Sequence, residues 1–223
     1  MSLDLSLSRD MLTALLPELV LTIWALVLLI VVAWRHRTAA DLRFAGWVTL
    51  AGLASAAVAT WWLWWNSAQP EGGLSPMIAV DDFRFVANGL FLGAAALTVL
   101  FSFRYLEREQ LLAPEYYLLV VFATLGMMLM GAGEDLMVIF LGLELMSVSV
   151  YVLAGANRRS ARSAEAALKY FLLGAFASAF LLYGIALIYG ATATTNLKAV
   201  GIQLSLYGGA HPTMLLLGLG LLL

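Results

Sequence analysis

Six apolar runs, each near the length of a bilayer crossing, decide what this chain can fold into. They are Leu12–Trp34, Phe44–Trp65, about Phe83–Tyr105, Tyr116 to about Ala132, Leu136–Gly155 and about Ala164–Tyr189. A helix of about 20 apolar residues crosses the hydrocarbon core. Lipid offers no hydrogen bonds to the backbone, so such runs fold as helices that satisfy their own amides. The expected class is an all-α, polytopic transmembrane helix bundle. Charge agrees with this: only 12% of residues are charged and mean hydropathy is +0.93, against about a quarter charged in soluble domains. The net charge of −2 provides no basic stripe for nucleic acid. With no cysteine, disulfides, iron–sulfur clusters and thiolate metal sites are excluded within this chain. His36 and His211 stand near expected helix ends and make no metal site. The opening MSLDLSLSRDM lacks the basic stretch and cleavage site of a secretory signal.

Along the chain, Pro17 falls in the first turns of span one, where a missing amide donor costs least. Glu18 beside it is expected in the headgroup layer, near the positive end of the helix. Span two ends in WWLWW, an interfacial aromatic belt. Pro70, Gly72, Gly73 and Pro76 mark the loop from Asn66 to Asp82 as solvent-exposed. In span three, Gly89 and Gly93 have the GxxxG spacing that permits close helix packing, a weak signal in a glycine-rich membrane chain. The turn from Gly131 to Asp135 is so short that spans four and five must be antiparallel neighbours. Gly190 to His211 reads as a loop of mixed polarity, helical in part. The final run, Met214 to Leu223, is half a crossing, without an anchor at its far end. It reads as the start of a seventh span cut short, in an N-terminal piece of a longer protein; a re-entrant end is the alternative. The divisions expected are 1–111 for spans one to three and 112–223 for spans four to six with the start of the seventh.

Basic residues set the expected orientation. The odd loops carry Arg35, Arg37, Arg43, Arg104, Arg108, Arg158, Arg159 and Arg162, while the even side carries only Arg9, Arg84 and Lys198. This asymmetry places the odd loops in the cytoplasm and the N-terminus outside. A bacterial inner membrane fits best, an organelle membrane of bacterial descent being the other setting.

Two ionisable residues break the apolar pattern. Glu144 lies near the middle of span five, with no charged residue within eight positions on either side. An acid at a helix centre costs about 2.5–3.5 kcal/mol on insertion scales and marks a functional position by default. Ser147 and Tyr151 follow at helical spacing on the same face, and a carboxylate, a hydroxyl and a phenol along one stripe suit a proton wire. A protonated, hydrogen-bonded acid holding helices together is the other reading. Lys169 lies about a turn and a half into span six, with Glu165 four residues before it in the favourable order for a helical ion pair. The two either neutralise each other near the interface, with the amine snorkelling outward, or form a switchable proton site. Burial disfavours the charged amine, and a nearby carboxylate favours it. No catalytic triad or phosphate loop is present, and Gly131–Gly133 is a turn.

The run from Leu141, LGLELMSVSVYVLAG, and the run from Ala164, AEAALKYFLLGAFASAFLLYGIALIYG, resemble the antiporter-like subunit N family of NADH-quinone oxidoreductase, respiratory complex I. LLPEL (Leu15 to Leu19), FATLGMMLM (Phe122 to Met130) and the ATATTNL after span six fit the same family. The resemblance covers the chain from span one onward. It implies the N-terminal part of an inverted-repeat fold and a proton-translocating role within an NADH:quinone oxidoreductase. It also implies that Glu144 corresponds to the family's essential span-five glutamate, and that Glu165 and Lys169 correspond to the charged pair opening span six. The family's partner lysine in span seven does not occur before Leu223. The resemblance further implies neighbouring complex I membrane subunits, the bilayer and protons as partners. No cofactor is expected in this chain, while the parent complex would use NADH, FMN, iron–sulfur clusters and quinone. Rival readings are a subunit of a multisubunit Na+/H+ antiporter or membrane-bound hydrogenase, and a structural membrane subunit without its own ion path.

Overall fold

The computed structural model describes residues 12–34, 39–66, 77–109, 111, 113–207 and 212–222. Arg9, Arg35, His36, Arg37, Pro70, Gly72, Gly73, Pro76 and His211 lie outside the described residues. The described chain forms helices α1 (Leu16–Trp34), α2 (Ala39–Asn66), α3 (Asp82–Arg108), α4 (Glu115–Ala132), α5 (Leu136–Ala154), α6 (Ala161–Thr192), α7 (Leu197–Tyr207) and α8 (Pro212–Leu222). The first six are long and apolar enough to cross a membrane.

Local chemistry sets the ends of α5 and α6. The Asp135 carboxylate accepts from Met137 N at 2.8 Å, capping the first turn of α5. Ser160 does the same for α6, accepting from Ser163 N at 3.3 Å. That cap starts α6 three residues before the apolar run, so Arg162 and Glu165 ride on its first turns. At the far end Ala193 stops the helix with φ 56°, in the left-handed region, while its N–H donates to Tyr189 O at 2.7 Å. A residue with a Cβ pays about 1–2 kcal/mol there. At 32 residues and about 1.5 Å per residue, α6 is about 48 Å long and outreaches the hydrocarbon core.

The segment from Gly190 to His211, expected as a loop helical in part, contains α7. Asn196 caps it, its Oδ1 accepting from Ala199 N at 3.0 Å. With 11 residues it is too short to cross, and without a long apolar run its sequence carries no span signal.

Helices α1 to α4 share the main core, in which Leu21, Leu28, Leu53, Val99, Tyr117 and Met128 are buried. A smaller core of Leu136, Ile185 and Ile188 joins α5 and α6, with Phe140, Val200 and Leu222 against it. Long stretches of α6 are apolar and uncovered, including Phe171, Leu173 and Phe176.

α4 and α5 meet backbone to backbone. A Cβ on Gly126 would stand 2.5 Å from Met146 N, and one on Gly142 would stand 2.8 Å from Gly126 O. Gly184 of α6 and Gly218 of α8 make a similar crossing, a Cβ on either lying within 3.0 Å of the other's carbonyl oxygen. The GxxxG pair in α3 does no such work: nothing described lies within 4 Å of a Cβ at Gly89 or Gly93. Gly142→Val is therefore expected to force α4 from α5 and lower the amount of folded full-length protein several-fold. Gly93→Ala should be neutral or stabilising by up to about 1 kcal/mol, from helix propensity. Membrane-fraction yield and thermal aggregation in detergent check both; equal tolerance of the two would show that the crossing at Gly142 does not matter.

Candidate functional site

Glu144 sits on α5, two residues beyond the glycine where α4 crosses. Its side chain is half-buried, its Oε1 is fully enclosed, and no hydrogen bond or ion pair reaches it among the described residues. An enclosed carboxyl oxygen without a donor is costly to keep.

Ser147 is half-buried and Tyr151 is buried. Tyr151 turns to α6, its ring edge-on to Tyr170 at 4.7 Å and to Phe171 at 5.9 Å. Its phenol fills the space over Gly174, where any Cβ would collide with it. The stripe Glu144–Ser147–Tyr151 thus runs along α5 from the α4 crossing to the α6 contact. Among the described residues no hydrogen bond links its three members.

Glu165 and Lys169 do pair. Lys169 Nζ lies 2.5 Å from Glu165 Oε1, with side-chain exposures of 70% and 63%. The pair is placed on an uncovered face of α6, and among the described residues no hydrogen bond joins it to Glu144.

Sequence reasoning missed the charged contacts on the opposite membrane side from Arg158 and Arg159. Glu18 is not in the headgroup layer: it is 3% exposed and ion-paired with Arg84, which is 0% exposed. Arg84 Nη2 lies 2.9 and 2.8 Å from the two carboxylate oxygens and 2.7 Å from Ala14 O, and Nη1 donates to Ala79 O at 2.9 Å. Arg84, counted above as a surface topology signal, is therefore a buried tie between α1 and α3. The available signal was an acid and a base at the same-side ends of two apolar runs, which favours pairing inside a bundle.

The second missed feature holds the start of α5. The turn after α4 is pinned on one side by Ala79 N to Ala132 O (2.7 Å) and Glu134 N to Met77 O (2.9 Å). On the other side, Leu136 N donates to Thr195 O and Leu197 N to Glu134 O, each at 2.9 Å. Thr195 Oγ1 donates to Asp135 Oδ2 at 2.6 Å, and Lys198 pairs with Glu134 at 2.5 Å. The ATATTNL segment is thus a backbone clamp on the helix that carries Glu144.

Six apolar spans, an enclosed carboxyl oxygen within one of them and a clamped short turn before it define a polytopic helical membrane protein. Comparison with known proteins gives the family. Residues 133–223, which include Glu144, Ser147, Tyr151, Glu165 and Lys169, match the family described as NADH:quinone oxidoreductase/Mrp antiporter, TM. NADH-quinone oxidoreductase subunit N of Trichlorobacter lovleyi is 43% identical over 212 residues, covering 95% of this chain and 42% of that protein. Subunit N 2 of Symbiobacterium thermophilum is 42% identical, covering 89% and 40%. Among solved structures, a chain of respiratory complex I from Thermus thermophilus aligns with TM-score 0.70 and 34% identity, over 92% of this chain and 42% of that one. A chain of the archaeal membrane-bound sulfane sulfur reductase shares the fold, with TM-score 0.67 at 24% identity over 96% of this chain. The chain belongs to the NADH:quinone oxidoreductase/Mrp antiporter family of membrane subunits, and its curated relatives are subunit N proteins. It is a multi-pass protein of the bacterial inner membrane and spans about two fifths of the length of those relatives.

Proposed function

We propose that this chain contributes part of a proton half-channel to the membrane arm of an NADH:quinone oxidoreductase, coupling quinone reduction elsewhere in the complex to proton translocation. The enclosed, donor-free Oε1 of Glu144 carries the reading. Glu144 holds or releases a proton as a neighbouring positive charge approaches or leaves. Glu165 and Lys169 form the second charged station, a pair that opens when Lys169 is drawn toward another carboxylate. Ser147 and Tyr151 support a hydrated route between helices. Redox chemistry with NADH, FMN, iron–sulfur clusters and quinone belongs to other subunits; this chain's direct partners are the neighbouring membrane subunits and the lipid. The helix ends bearing Arg43 and Arg104 and the turn bearing Arg158 face the cytoplasm, and the N-terminus lies outside. Residues 1–111 form a peripheral layer, and 112–223 open the first antiporter-like repeat.

The family description also names Mrp antiporters, which favours a second reading as a Na+/H+ antiporter subunit. Inside-out membrane vesicles from the native host and from a strain lacking the gene separate the two. Loss of NADH-driven acidification and of quinone reduction supports the proposal. Retention of both, with loss of Na+-induced proton exchange, would replace it with the antiporter reading.

A further inference from the structure

Around the Glu18–Arg84 pair, hydrogen-bonding capacity is left over. Among the described residues Arg84 Nε has no partner, nor has Oδ1 or Nδ2 of Asn88, and both residues are 0% exposed. Asn88 stands one turn after Arg84 on α3, so the two share a face. Both of the guanidinium's terminal nitrogens have partners, Nη2 in Glu18 and Ala14 and Nη1 in Ala79. Three polar atoms, two donors and one acceptor, are thus gathered in one interior place. Buried polar groups are nearly always satisfied, and leaving one unsatisfied costs about 1–3 kcal/mol. Three such losses together, beside a desolvated ion pair, are more than a bundle of this kind would keep without return.

We propose that Arg84 and Asn88 form an interior water-binding site in the α1–α3 layer, separate from the Glu144 region. Its ligand is resident water, accepting from Arg84 Nε and Asn88 Nδ2 and donating to Asn88 Oδ1. Buried waters typically make about three hydrogen bonds to such otherwise unsatisfied groups. An anion is the poorer ligand because Glu18 already balances the guanidinium, and a cation is repelled by it. The site makes the Glu18–Arg84 pair, which ties α1 to α3, a hydrated charge centre. It stands whether or not the proton-channel reading holds.

The test uses the full-length protein in its assembled complex, with two variants of opposite expectation. Asn88→Leu, near in size and apolar, is expected to lower the assembled protein at least about threefold, since it strands Arg84 Nε without a water site. Asn88→Ser, which keeps a hydroxyl and frees room for a second water, is expected to assemble near the wild-type level. If Leu is tolerated and Ser is not, the position is apolar packing and the proposal is overturned. A density map at water-resolving resolution decides it independently. Peaks about 2.7–3.2 Å from Arg84 Nε and Asn88 support the site; a protein carbonyl or hydroxyl making those bonds removes it.

Discussion

Glu144→Gln in the full-length protein is expected to abolish most proton translocation while leaving the complex assembled. Glutamine keeps the volume and the polar end of the side chain but neither ionises nor carries a proton. A positioned proton-transferring side chain contributes about 10²–10⁴-fold, so a fall in NADH-driven acidification of at least about tenfold is expected. Glu144→Asp should retain a measurable fraction, because it shortens the reach but keeps the charge. The enclosed Oε1 sharpens the contrast with packing. If Glu144 served only to join helices as a protonated acid, glutamine would supply an NH2 donor in its place and pumping would persist. Normal acidification with normal assembly would therefore sink the proton role. Assembly lost in Gln but kept in Asp would show that the charge is needed to build the bundle, which is a structural role.

What could be read from the sequence was what local chemistry decides. The bounds of α5 follow from Asp135 as cap and the glycine after Ala154, and the observed helix ends within a residue of the expected span. The lone position of Glu144 is visible in one dimension because an apolar run makes a charge conspicuous. Contacts between distant segments were not visible. Glu18 and Arg84 are 66 positions apart, and each alone fits an interfacial residue. The same limit applies to glycines: Gly89 and Gly93 have the recognised spacing and touch nothing, whereas Gly126 and Gly142 hold two helices together from separate segments. Likewise Tyr151 was legible as a phenol on a stripe, but its seat over Gly174 depends on how α6 crosses α5. The bounds of α7 were not legible, because an 11-residue piece with a lysine near its start has neither the length nor the hydropathy of a span. Its cap, Asn196, was the signal to weigh.

The buried pair supplies the largest stability effect. Glu18→Leu or Arg84→Met alone is expected to cost about 3–5 kcal/mol, the range for breaking a buried salt bridge by removing one partner. Glu18→Leu should be the worse of the two. An unpaired carboxyl can lose its charge by binding a proton, whereas a guanidinium remains charged throughout the usable pH range. Arg84→Met instead leaves the carbonyls of Ala14 and Ala79 without their donor. The double variant Glu18→Leu/Arg84→Met removes both charges and replaces them with apolar groups, and such swaps are often neutral. It should therefore recover most of the loss, less what the two stranded carbonyls cost. Denaturant unfolding of the purified full-length protein in a lipid–detergent mixture measures all three. A double variant as weak as either single would mean that the polar geometry at Ala14, Ala79 and Asn88, and not charge balance, holds α1 to α3. Singles indistinguishable from wild type would mean that water reaches the pair and already screens it.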